Sequence, residues 1–142
     1  GVQGLVIFVD TSAFYALLDE DDDCHQRAAE TFIALREAGA QLVTSNYVVA
    51  ESCALIQKRL GMKIAGMYRS GLLAVVSVRW VTQAVHEDGF NCFLACGRNG
   101  PSFTDSVSFS PMRDQRIDTA FAFDKHFADQ GFKCLTRPED VA

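Results

Sequence analysis

No stretch of the chain is apolar for long enough to cross a bilayer. The longest such runs, LVIFV and LLAVVSV, fall well short of the roughly 20 residues that a membrane helix needs. The N-terminal region lacks the succession of basic stretch, apolar stretch and small-residue cleavage site that marks a secretory signal, so a cytoplasmic protein is expected. Positive charge is also in short supply. Thirteen Lys and Arg stand against 18 Asp and Glu, for a formal net charge of −5. Domains that grip nucleic acid by bulk electrostatics are usually basic, so that class is disfavoured. An enzyme is not excluded, because a carboxylate cluster attracts phosphate once cations fill it. The five cysteines, Cys24, Cys53, Cys92, Cys96 and Cys134, include no C-x-x-C and have no partnering His pair. Their odd number and open spacing argue against a disulfide framework and for a reducing compartment. A zinc site lacks its ligands, although Cys92 and Cys96 are spaced to share a helix face. Apolar packing is expected of all five. Repeats, low-complexity segments and linkers are absent, so residues 1–142 are expected to form a single domain.

Apolar residues make up 49% of the chain, enough for a core without disulfides or a structural metal, and charged residues only 22%, which argues against disorder. Leu5 to Val9 reads as a buried strand, apolar on both faces as in a parallel sheet. A short helix from Ala13 to Leu18 follows, then an acidic stretch, Asp19 to Asp23, and a helix from His25 to Ala38. Gln41 to Thr44 is predicted as a second strand, and Ser45 or Asn46 can cap a helix from Tyr47 to Arg59. A further helix is predicted over Met62 to Ser70, a third strand over Leu72 to Val78, and a helix over Val81 to Cys96. The last part reads as a loop from Gly97 to Pro101, a helix from near Thr104, and strands at Thr119 to Phe123 and Lys133 to Leu135. Alternation of strands and helices implies βαβ units and a parallel sheet covered on both faces.

Two carboxylates stand directly after apolar strands: Asp10 after the first and Asp124 after the fourth. Open α/β sheets bind ligands beyond the carboxyl ends of their strands, where the strand order reverses. Glu51 falls in the first two turns of its helix, among apolar neighbours, and Asp105 in the first turn of another. Each acid alone has an ordinary explanation as a cap, a turn residue or a salt-bridge partner. Together they point elsewhere, because burying unpaired carboxylates is costly unless a cation compensates them. Oxygen-only ligands suit Mg²⁺ or Mn²⁺.

The strings VIFVDTSAFYALLDEDDDCHQRA, LVTSNYVVAES, PSFTDSVSF and IDTAFAFDKHFADQGF resemble the successive motifs of PIN-domain ribonucleases, and among them most resemble the VapC-type toxins of toxin–antitoxin pairs. The resemblance runs from about Val6 to Leu135. It implies a three-layer α/β/α fold with a parallel sheet of order 3-2-1-4-5. It places the family's acidic metal-binding set on Asp10, Glu51, Asp105 and Asp124, with Thr11, Ser12 and Thr104 at small hydroxyl positions beside the metal. His126, Asp114, Asp118 and the Asp19 to Asp23 run are expected to be surface or packing residues. Pro111 departs from the family's pattern, and either a kink or a second short segment opened by Ser110 and Pro111 is expected there.

The implied reaction is metal-dependent endonucleolytic hydrolysis of RNA, leaving a 5′-phosphate and a 3′-hydroxyl. The implied partners are single-stranded or looped RNA, a cognate antitoxin and a second copy of the chain. Phe14, Tyr15, Leu17 and Leu18 are expected to leave apolar surface for such partners. Lys58, Arg59, Lys63, Arg69, Arg98, Arg113, Arg116 and Lys125 are available for phosphate contacts, and the sequence does not rank them. Two rival readings are an aspartyl phosphotransfer enzyme and a non-catalytic PIN-like scaffold. The first commonly has a second Asp two residues after the nucleophile, where this chain has Ser12. The second is disfavoured by acids at all four positions.

Overall fold

The computed structural model describes residues 4–141. Five parallel strands lie in the order β3-β2-β1-β4-β5, as the resemblance implied. They are β1 (Val6–Val9), β2 (Gln41–Ser45), β3 (Ser77–Arg79), β4 (Thr119–Phe121) and β5 (Lys133–Leu135). β1 is central, with Phe8 opposite Val43 of β2 and Ala120 of β4. Covered on both sides, it can afford no polar residue before Asp10, which accounts for its unbroken apolar run.

The chain moves from β1 through β2 to β3 with α1 (Thr11–Leu18), α2 (His25–Glu37), α3 (Asn46–Arg59) and α4 (Met62–Met67). It then crosses to β4 through α5 (Gln83–Cys96) and α6 (Phe103–Asp114), and α7 (Lys125–Asp129) connects β4 to β5. Because parallel crossovers are right-handed, reversing direction at β1 puts α1–α4 on one face and α5–α7 on the other. α1 packs on α2 and α3, and α5 on α6, accordingly. Among the described residues no helix is long and apolar enough to cross a membrane.

The core joins both layers to the sheet. Phe8 stacks on Phe127, Phe127 meets Phe109 edge-on, and Phe14 meets Tyr68 edge-on. α5 approaches α6 closely through Gly89, where a Cβ would lie 2.5 Å from Val107 Cγ2 and 2.7 Å from its Cα.

Several expectations are corrected. The Leu72 to Val78 run is not one strand. Tyr68–Leu72 form a π-helical turn and Leu73–Val75 a 3₁₀ turn, so only Ser77–Arg79 pair with β2. Leu72 and Leu73 reach the core from those turns, and a short apolar run has the same composition in either conformation. The fifth helix starts at Gln83, where the Thr82 hydroxyl accepts a hydrogen bond from Val85 N at 3.2 Å. α6 continues through Pro111 to Asp114, so no second segment opens there. The proline falls in the last turn, where the one donor it removes is that facing Val107 O. Phe14 is fully buried, and Leu17 and Leu18 pack against the core, because α2 and α3 cover α1. Exposed apolar surface lies instead at Ile33, Met62, Met67, Trp80, Phe90 and Leu94. Cys53 and Cys96 are exposed, so packing accounts only for the other three cysteines. The α7 helix and a closing 3₁₀ turn at Pro138–Val141 were not anticipated.

Candidate active site

The order reversal between β1 and β4 opens a crevice at their carboxyl ends, and three of the four acids meet there. Asp10 leaves β1 in extended conformation and caps α1. Its Oδ2 accepts hydrogen bonds from Ser12 N at 3.1 Å and Ser12 Oγ at 2.7 Å. Ser12 Oγ in turn accepts from Phe123 N at 2.9 Å, and Asp10 N donates to Phe121 O at 3.1 Å. Asp10 is thereby tied to the segment that delivers Asp124. The other oxygen, Asp10 Oδ1, is buried and has no partner.

Asp105 is held by a capping box. Its backbone N donates to Ser102 Oγ at 3.1 Å, and Ser102 N donates to Asp105 Oδ2 at 3.3 Å. Asp124 caps α7, its Oδ1 accepting from His126 N at 2.9 Å. One carboxylate oxygen from each of Asp10, Asp105 and Asp124 lies within 4.8 Å of the others. Asp10 and Asp105 are almost wholly buried and Asp124 half-buried.

So much negative charge at such short range is unfavourable in the free protein. Burial above all, with smaller contributions from the charges of Asp124 and Glu51, pushes Asp10 up to about 6 against the two Ser12 hydrogen bonds. Burial also pushes Asp105 up to about 8, with the charge of Asp10 and a hydrogen bond and charge from Asp124 adding to it. Both effects disfavour the ionised forms. A divalent cation held by these oxygens would offset both. The oxygen-only donor set and the orphaned Asp10 Oδ1 fit Mg²⁺ or Mn²⁺.

Glu51 stands at the edge of this group. It is half-buried on α3 and lines an open depression with Asn46, Tyr47, Ala50 and Thr104. It is near enough for its charge to act on Asp10 but is not part of the 4.8 Å cluster. Of the hydroxyl residues, Ser12 anchors Asp10, and Thr11 is buried with its Oγ1 unpartnered. Thr104 lines the Glu51 depression. His126 is half-buried, its Nδ1 lying 3.9 Å from Asp129 Oδ2.

Three neighbours of the site were missed. Ser102 was legible as the S of an S-x-x-D capping pattern. Arg27, its guanidinium 5.6 Å from the Phe123 ring beside Asp124, had no local signal. Nor did Cys134, whose thiol is pushed up by burial and by the charges of Asp10 and Asp124. Two of the basic candidates are engaged elsewhere: Arg59 lies over Tyr15, and Arg113 over Phe109 and Phe132. A cavity of about 140 Å³ between β2, β3 and α6 is lined without a carboxylate and stands apart from this chemistry.

The profile of the PIN domain matches residues 7–133. The chain belongs to the PIN-domain family. It is 34% identical over 135 residues to the 23S rRNA-specific endonuclease VapC20 of two Mycobacterium tuberculosis strains, covering 94% of this chain and all of VapC20. The crystal structure of M. tuberculosis VapC20, described as a sarcin–ricin loop cleaving toxin, superposes with a TM-score of 0.78 at 33% identity, over 89% of this chain and 95% of that one. A protein of Pyrobaculum aerophilum, PAE2754, has the same fold, with a TM-score of 0.60 at 17% identity over 95% of this chain and 93% of that one. All the acids discussed above lie within the span that matches the PIN domain.

Proposed function

We propose that this PIN domain, spanning the chain as one unit, is a divalent-metal-dependent endoribonuclease and the cytoplasmic toxin of a toxin–antitoxin pair. The observation that carries the reading is the convergence of Asp10, Asp105 and Asp124 within 4.8 Å, with Asp10 Oδ1 buried and unpartnered. Structural carboxylates are normally satisfied by donors. Here Asp10 Oδ1 has no donor, and a cation among the three carboxylates would satisfy it and offset their shared negative charge. Mg²⁺ or Mn²⁺ held there supplies the positive charge that phosphodiester hydrolysis needs.

The chain's own residues set up that chemistry. Ser12 fixes Asp10 so that Oδ2 is committed to the protein while Oδ1 is left without a donor. The capping box fixes Asp105, and α7 fixes Asp124 through His126 N. Glu51 adds negative charge and a proton acceptor on the open side, where substrate can enter. Thr11 and Thr104 place hydroxyls beside the acids. Such preorganised groups act where charge develops during the reaction.

Similarity to an enzyme named for 23S rRNA supports RNA as the substrate. It makes a sarcin–ricin loop hairpin the first substrate to try, an unpaired loop being the usual target of specific recognition. An antitoxin and a second copy of the chain are the partners this reading carries. Labelled loop RNA incubated with the protein in Mn²⁺, and then in EDTA, tests the proposal. Cleavage in Mn²⁺ that EDTA abolishes is the expected result. RNA binding without cleavage would favour the scaffold reading, and a phosphorylated Asp10 the phosphotransfer reading.

A further inference from the structure

On the open side of the acids lies a group of rings that metal binding does not use. Phe103 is the hub, with centroid distances of 5.2 Å to Phe90, 5.4 Å to His86, 5.7 Å to Phe93 and 5.9 Å to Tyr47. Tyr47 Oη and His86 Nδ1 are hydrogen-bonded at 2.6 Å. The rings join α3, α5 and α6, and they are continuous with the site. Phe103 precedes Asp105 by two residues in the first turn of α6, and Tyr47 precedes Glu51 by four on α3. Tyr47 and Glu51 lie one turn of about 5.4 Å apart on the same face of α3. Tyr47 is therefore the ring that adjoins the acids, whereas Phe103, two residues from Asp105, backs Tyr47 from the other side of α6. Tyr47, Glu51 and Thr104 line the same depression.

Phe90 is 41% exposed, and Gly89 is the one buried residue of α5. An aliphatic patch would serve a protein partner equally well, but flat π faces beside a phosphodiester site suit a nucleobase. Stacking on aromatic side chains holds single-stranded RNA without requiring a particular sequence. It also supplies affinity that a chain of net charge −5 gains little of from phosphate contacts.

We propose that Tyr47, Phe90 and Phe103 form a stacking subsite for an unpaired nucleobase beside the phosphodiester presented to Asp10, Asp105 and Asp124. The proposal rests on the nuclease reading above. Its test uses the full chain in Mn²⁺ with a labelled sarcin–ricin loop hairpin, and the same hairpin with abasic riboses flanking the cleaved linkage. Phe90→Leu keeps apolar area but loses the π face, and it is expected to raise KM by about 5- to 150-fold, the loss of one base–aromatic stack. Phe90→Trp should restore KM. The abasic hairpin should raise the wild-type KM similarly, with little further loss when combined with Phe90→Leu. Leu94→Ala, on the same helix but outside the ring group, should leave KM alone.

A wild-type KM for Phe90→Leu, or losses that simply add, would overturn the subsite while leaving the nuclease intact. Failure of the wild type to cut the hairpin in Mn²⁺ would overturn both. A wild-type KM for Phe90→Leu, together with conversion of a sedimenting dimer to monomer by Phe90→Asp, would make this face a contact between copies instead.

Discussion

Removing one charge from the acid cluster should stabilise the metal-free protein. Asp105 is 3% exposed, and its carboxyl is pushed from 3.8 up to about 8. The folded state therefore retains a proton that the unfolded state releases. Stability present below the unfolded value of 3.8 is lost progressively as pH rises toward 8. Over about 3 pH units, from roughly pH 5 to pH 8, the loss is on the order of 4 kcal/mol, at about 1.36 kcal/mol per unit. Asp105→Asn removes this ionisation. Its amide keeps an oxygen for Ser102 N–H and offers an N–H toward Asp124. The variant's advantage over wild type should thus grow between pH 5 and pH 8, to roughly 10 °C in Tm at about 2–4 °C per kcal/mol. The assay is a series of thermal melts in EDTA across that range. In Mn²⁺ that advantage should shrink. Wild type should gain about 2.7 kcal/mol at a hundred times Kd, and the variant less. Asp21→Asn and Asp129→Asn, at exposed positions, should behave as wild type because exposed charges are screened. Parallel wild-type and Asp105→Asn melts at every pH, with equal responses to Mn²⁺, would refute the shared-site reasoning.

Other outcomes follow from the same geometry. Ser12→Ala removes the Oγ donor to Asp10 and the acceptor of Phe123 N–H; denaturation should show a loss of about 1–3 kcal/mol, and calorimetry weaker Mn²⁺ binding. Gly89→Ala places a Cβ 2.7 Å from the Val107 backbone; urea melts should show a loss of about 1–3 kcal/mol from overpacking, whereas unchanged stability would mean that the α5–α6 contact is loose. The chain should sediment as a dimer at tens of micromolar, roughly the range of obligate dimers, and a protein encoded beside it should inhibit cleavage; monomer alone, or no inhibition, would remove those partners.

The elements that build the site were the most legible in the sequence. β1 is central, and burial on both faces leaves it an uninterrupted apolar run. Asp10 and Asp124 stood out because each follows such a run directly. The β3 region was misread because the LLAVVSV run satisfies a buried strand and a packed helical turn equally. What settles it is Tyr68, whose burial at 1% exposure is a tertiary fact. Phe14 was expected at the surface because nothing in a short apolar helix tells which neighbours cover it. α7 escaped notice because five residues hold too little periodicity, although Asp124 was its cap. That Asp10, Asp105 and Asp124 converge while Glu51 stands at the rim depends on packing between layers, which spacing along the chain does not encode. The ring group on α3, α5 and α6 was invisible for the same reason, since its members come from three separated segments.

The most direct test of the central claim compares wild type with Asp10→Asn on labelled sarcin–ricin loop RNA in Mn²⁺. Asn preserves the shape and an oxygen for Ser12 but lacks the charge that holds a divalent ion. Wild type should cut the RNA to leave a 5′-phosphate and a 3′-hydroxyl. Asp10→Asn should fold, with a wild-type circular dichroism spectrum, and leave the RNA intact. Cleavage by Asp10→Asn at the wild-type rate, with the same dependence on Mn²⁺, would contradict the assignment of Asp10 and of the metal-dependent nuclease built on it.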